Sequence, residues 1–152
     1  MQQLLVKELA EHCGIGTHHI WMDVSAPITS AAVASVEFDG RAREGYRFDW
    51  LAEQAPSEHE AMQEHIQRIL YHINNPDTVP VHLEEDTFGT IIMDDGYHRL
   101  HAAVFMNRLT IAFTWNGTWR AFRDAFPKSY KQKLFRLVYS DNPEEVNREP
   151  ST

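Results

Sequence analysis

Cys13 is the only cysteine in 152 residues, so no disulfide framework can brace this fold from within. No apolar run approaches the ~18 residues that a membrane-crossing helix needs. The first residues carry acidic Glu8 and Glu11 and no cleavage pattern, so nothing there resembles a signal peptide. These absences make a cytoplasmic protein without membrane attachment the expectation. Positive charge is also scarce. Fourteen Lys and Arg stand against twenty-two Asp and Glu, a net charge of −8, and such a balance argues against general binding to nucleic-acid phosphates. What remains is ordinary for a globular chain: 43% apolar and 24% charged residues. The length suits one domain with a proper core, here expected over residues 1–140, followed by a polar, flexible tail at 141–152.

Hydrophobic spacing predicts the elements. Leu4, Leu5, Val6, Leu9, Ala10 and Cys13 share one side of a helix that Gly14 stops. Ile20–Val24 and Ala32–Phe38 read as short strands, the second closed by Asp39-Gly40. Tyr46, Phe48 and Trp50 alternate as in a half-buried strand. The clearest helix spans Ser57–Ile73: Ser57 and Glu60 have capping-box spacing, and Met62, Ile66, Ile69, Leu70 and Ile73 make one apolar face. On that helix His65, Arg68 and His72 are expected on a solvated face. Val79–Leu83 reads as a strand, with Pro80 at its start or on an edge. Glu84-Glu85-Asp86 opens a hairpin; Glu85 and Asp86 are expected at a solvated tip, with Glu84 a weaker candidate base or metal ligand. Leu109–Trp115 is a strand. Asn116-Gly117 then makes a hairpin or breaks the chain before a helix capped by Thr118. Trp119, Phe122 and Phe126 space for that helix, which Pro127 ends. Ser129 and Gln132 have capping-box spacing for a last helix bearing Tyr130, Leu134, Leu137 and Val138.

The stretch from Thr90 to Ala112 organises the rest. Thr90 to Met93 suit a buried strand. Asp94-Asp95-Gly96 breaks the pattern, and Tyr97 to Met106 suit a helix. A helix starting there leaves its first amides unpaired and partially positive. Arg99 in the first turn offers a planar fork of donors for phosphate oxygens, and unpaired amides beside an arginine make an anion site. Asp94 and Asp95 can hold a divalent metal or accept a proton. The structural alternative is a plain turn, capped by Asp95, in which Arg99 pairs with the aspartates.

Asp95-Gly96-Tyr97-His98-Arg99-Leu100-His101-Ala102-Ala103 resembles the D-G-x-H-R-x-x-A-A signature of the ParB/sulfiredoxin superfamily, and flanking elements over roughly residues 60–115 fit its order. The resemblance implies an α+β fold, a small mixed sheet packed with helices. It implies that Gly96, Tyr97, His98 and Arg99 receive nucleotide phosphates. Sulfiredoxins carry a catalytic cysteine where this chain has Tyr97, so their chemistry is not expected. Chromosome-partitioning ParB proteins differ before the arginine and continue into a helical DNA-binding region. Nearest in motif are the free-serine kinases, which imply phosphoryl transfer or nucleotide hydrolysis with ATP, ADP or CTP, Mg2+ and a small-molecule phosphate acceptor. Asp94, Asp95 and His98 are then the candidate catalytic residues, and Asp95 the candidate magnesium ligand. An early arginine (Arg41, Arg43 or Arg47) is implied as a further nucleotide contact.

Two other readings stand beside this one. Residues 118–139 hold six basic side chains against Asp124 alone, so a non-catalytic, ParB-like regulatory or accessory protein of plasmid or phage type can be expected to use them on DNA or an acidic partner. The nine histidines, with His12, Cys13, His18 and His19 close in sequence, raise zinc, although the paired ligand spacing is missing.

Overall fold

The computed structural model describes residues 2–21, 24–40, 57–76 and 79–132. The expected strand at Tyr46–Trp50, the three early arginines, the last-helix residues Leu134, Leu137 and Val138, the basic Lys133 and Arg136, and the 141–152 tail lie outside them. The described chain is α+β: a mixed four-stranded sheet with six helices. The strands are β1 (Gln3–Leu5), β2 (Val81–Glu85), β3 (Ile91–Asp95) and β4 (Thr110–Asn116). The helices are α1 (Val6–Cys13), α2 (Ser30–Ala34), α3 (Glu58–Asn74), α4 (Tyr97–Phe105), α5 (Trp119–Ala125) and α6 (Pro127–Lys131). Sheet order is β1-β4-β2-β3, with β4 and β2 parallel and the outer pairs antiparallel.

Local chemistry places the helix ends. Ser57 Oγ accepts from Glu60 N at 3.2 Å to open α3, and Thr118 Oγ1 accepts from Ala121 N at 3.2 Å to open α5. Gly14 ends α1 in the left-handed region at φ 71°. Glu85 is not at a solvated tip: its Oε1 accepts from both the amide and the hydroxyl of Thr118, tying the β2–β3 hairpin to α5. Asp86 accepts from the amides of Phe88 and Thr90 and so shapes the hairpin turn.

Three expected elements differ. Leu4 and Leu5 belong to β1 rather than to the first helix, because their backbone pairs with Ile111 and Thr110. The expected strand at Ala32–Phe38 is replaced by α2 and an irregular run. Thr29 caps Ala32 N, and Ala31, Ala32 and Ala34 favour helix once a cap is in place. Ile20 and Trp21 are in no strand; their side chains pack instead of pairing.

Two apolar clusters result. One lies under a sheet face, where Leu4, Val81, Leu83, Ile91, Met93, Ile111 and Phe113 meet Leu9, Leu100, Phe122 and Phe126. The other joins Ile66 and Ile69 of α3 to Ala102 of α4 and to Trp21, Val24, Ile28 and Val33. Helix α4 therefore stands between the sheet and α3, and Tyr97 at its first position packs against both clusters.

Ser129 is not a cap but a buried strut inside α6. Its Oγ accepts from Leu5 N at 2.9 Å and donates to Glu8 Oε1 at 2.6 Å, and Glu8 also accepts from the amides of Lys128 and Ser129. Ser129→Ala leaves the buried Leu5 amide without its acceptor, a loss of about 1–3 kcal/mol. Urea denaturation should show the midpoint falling with an unchanged slope.

Candidate functional site

Strand β3 delivers both aspartates to the edge of the sheet. A register shift between His82 and Leu83 sets His82 opposite Asp95 and Leu83 opposite Met93, leaving Asp94 as the extra residue. Such a bulge at a strand end re-aims side chains, and Asp94 and Asp95 are both exposed. They are thus the last residues of the strand, not part of the expected turn after it. His82 Nδ1 is hydrogen-bonded to Thr114 Oγ1 on the same exposed side.

Gly96 makes the whole turn. It lies at φ 120°, ψ 11°, and α4 follows with no side-chain cap. Asp95 is therefore not the N-cap. The side of Gly96 that a Cβ would occupy is filled by Val81, whose Cγ1 would be 2.5 Å away. Close approach at this glycine is to the protein's own strand.

Arg99 folds back across the turn. Its Nη2 donates to Asp95 Oδ2 and to the Pro80 carbonyl, each at 3.1 Å, while its buried Nε meets no hydrogen-bond partner. The guanidinium end is thus held beside the first turn of α4 and next to exposed carboxylates. The Arg99 side chain is 16% exposed and that of Asp95 64%. An ion pair with one partner so open to water contributes little, about 0–1 kcal/mol.

His98 does not add charge to this turn. Its ring is buried against α3, with Nε2 hydrogen-bonded to His65 Nδ1 at 2.9 Å. Burial, then the neighbouring His65 and Arg68, hold its pKa well below the usual histidine value. The ring is neutral at pH 7 and turned to His65, so it supplies no positive charge to an anion at the turn. The residues brought together are Asp94, Asp95, Gly96 and Arg99.

The histidine environment was not anticipated. His65, expected in solvent, is fully buried. Trp21 stacks on His65, His98 and His101, at centroid distances of 4.1, 4.5 and 5.1 Å. His101 Nδ1 donates to the Tyr97 carbonyl at 2.6 Å, and burial pushes its pKa down to about 4. A signal was present: Ala61, His65 and Ile69 recur every four residues, so His65 widens the apolar stripe of α3.

Other candidates fall elsewhere. Among the described residues no group of three or more His, Cys, Asp or Glu is placed to hold a metal ion. His12, His18 and His19 are exposed and separate from the buried trio. Burial pushes the Cys13 thiol up to about 11, which leaves it unreactive at neutral pH. In the basic helices Arg123 Nε lies 3.5 Å from Asp124, and Arg120, Lys128 and Lys131 are exposed. A groove of about 700 Å³ lined by Leu5, Ala10, Val104 and Leu109, and a polar pocket of about 360 Å³ beside Glu85 and Arg120, lie away from the β3–α4 turn. No helix of the described residues is long and apolar enough to cross a membrane. Comparison with protein-family models, with curated proteins and with solved structures finds no match to this chain.

Proposed function

We propose that this chain is a cytoplasmic nucleotide-binding protein that receives a nucleoside di- or triphosphate (ATP, ADP or CTP) at the β3–α4 turn and carries out phosphoryl transfer or hydrolysis there. One observation carries the reading: a nine-residue helix opens on Gly96 at φ 120° without a side-chain cap, with the guanidinium of Arg99 held beside its first turn. The partial positive charge of a helix start and a nearby guanidinium together favour a phosphate. Asp94 and Asp95, exposed at the strand end, suit a magnesium ion shared with phosphate oxygens, because that ion keeps several waters and needs only one or two carboxylates. Bound magnesium would supply charge neutralisation on the phosphates. Chemistry of this type rests mainly on positioning and charge, and that is what Arg99 and the amides offer.

Titration calorimetry of ATP, ADP and CTP, with and without Mg2+, tests the assignment. Arg99→Ala removes a charge-assisted contact of about 1.5–3 kcal/mol, so affinity should fall about tenfold to a hundredfold. Asp95→Asn should do the opposite for the metal-free nucleotide, since it frees the guanidinium, while abolishing any turnover. Affinity unchanged in Arg99→Ala rejects the site.

A further inference from the structure

The most unusual grouping in the molecule lies behind the anion turn, not in it. Three buried imidazoles from two helices close on one indole from the irregular segment between α1 and α2. We infer that His65, His98 and His101, stacked round Trp21, form an acid-sensitive latch that releases the Trp21 segment from the α3–α4 seam while the sheet remains folded.

Geometry supplies the reason. His65 and His98 are joined nitrogen to nitrogen at 2.9 Å, so one ring must present an acceptor to the other. If both rings take up a proton, both nitrogens become donors and the bond is lost. His101 is the third ring on the same indole face cluster, with its Nδ1 already committed to the Tyr97 carbonyl. Among the described residues the charged or titratable groups acting on His98 disfavour a positive charge on its ring. Helix α3 brings Arg68 and His72 towards His98, and each disfavours a further positive charge. Helix α4 brings Tyr97, and α1 brings Cys13 behind Tyr97, both neutral at pH 7. Among the described residues no carboxylate acts on His98 or His101.

The sign follows from the burial. An open histidine has its ordinary value near 6.5, whereas the closed cluster keeps His101 down to about 4 and His98 well below its usual range. The closed form therefore holds fully above about pH 6.5 and weakens as pH falls, about tenfold per pH unit for each histidine that charges on opening. Besides the stacked rings, Val24 and Ile28 share the apolar cluster with Ile66 and Ile69 of α3, and few described hydrogen bonds add to it. Val24 N donates to the Trp21 carbonyl, and Ser25 N donates to Glu58 at the start of α3. The sheet has its own core and its own ladder, so the segment can leave without it.

Hydrogen exchange of the full chain, followed by mass spectrometry at pH 7 and pH 5 and corrected for intrinsic rates, tests the latch. Peptides covering residues 15–21 should be protected at pH 7 and lose at least tenfold of that protection at pH 5, while β2 and β4 keep theirs. His98→Gln and His101→Gln retain hydrogen-bonding groups but cannot titrate, so in either one the loss between the two pH values should shrink about tenfold. If His98→Gln does not fold, His101→Gln and the unaltered chain still decide. Absence of protection at pH 7, equal protection at both pH values, loss of the segment and sheet together, or an undiminished loss in a glutamine variant that folds would each overturn the proposal.

Discussion

Gly96→Ala should come close to abolishing folding. The residue lies at φ 120°, in a region that costs an L-residue about 1–2 kcal/mol even where it is best tolerated. Space compounds the strain. A Cβ there would stand 2.5 Å from Val81 Cγ1, 2.7 Å from its Cβ and 3.1 Å from its Cα. Val81 is a fully buried residue of β2, which lies between β4 and β3 in the sheet, so its main chain cannot retreat without disturbing both ladders. Forcing atoms into a packed core adds about 1–3 kcal/mol. Together these approach the lower end of the roughly 5–15 kcal/mol that holds a typical domain together. Gly96→Asn separates the two causes. Asparagine tolerates positive φ better than alanine, yet it carries the same Cβ. Thermal unfolding should show Asn no better than Ala if contact with Val81 dominates; a substantial recovery in Asn would assign the cost to backbone conformation instead.

Phe122→Ala should be nearly as damaging, for a different reason. Its ring is fully buried and meets Phe113, Trp115, Trp119 and Phe126 at centroid distances of 5.2–5.6 Å. It therefore joins β4 to both short C-terminal helices. Removing a buried phenylalanine costs about 3–5 kcal/mol through lost transfer energy and the cavity left behind. Neither α5 nor α6 is long enough to persist without tertiary support. Chemical denaturation should show the midpoint falling steeply, and exchange of the Thr118–Gln132 amides should accelerate first. A loss below about 1 kcal/mol would mean that the aromatic cluster closes over the gap, contrary to the limited relaxation expected of a packed core.

Sequence pattern revealed the fold best where one local rule governed an element. α3 was legible from Ser57, Glu60 and a long apolar stripe, α4 from the break at Gly96, and α5 from Thr118 and Pro127. The α+β class, with its small mixed sheet, was what the motif resemblance implied, and the described chain has that class. Pattern failed where distant partners decided. Leu4 and Leu5 fit a helix by spacing, but β4 offers them a ladder. Ala32–Phe38 had apolar residues enough for a strand, but Thr29 and the alanines settle the first half as helix. At the candidate site, the nearness of Arg99 to Asp95 was visible because they lie only four positions apart, with the Gly96 turn between. The inward course of His98 was not. It depends on a partner thirty-three residues earlier and on an indole in a segment without periodicity. His65 looked polar by residue type, although its position on α3 already aligned it with Ala61 and Ile69.

The arrangement of the sheet also bears on how the chain matures. Among the described residues β1 lies at one edge of the sheet and pairs with β4, Gln3 facing Ala112, while Glu8 waits for Ser129. On a translating ribosome the leading strand would emerge long before its neighbour exists, with Leu4, Leu5, Val6 and Leu9 uncovered in the meantime. Ladders between such remote segments form slowly, and sticky intermediates persist until they do. Native closure of this sheet thus waits until β4 has been made, and nascent chains halted short of Asn116 should be the ones that molecular chaperones hold longest.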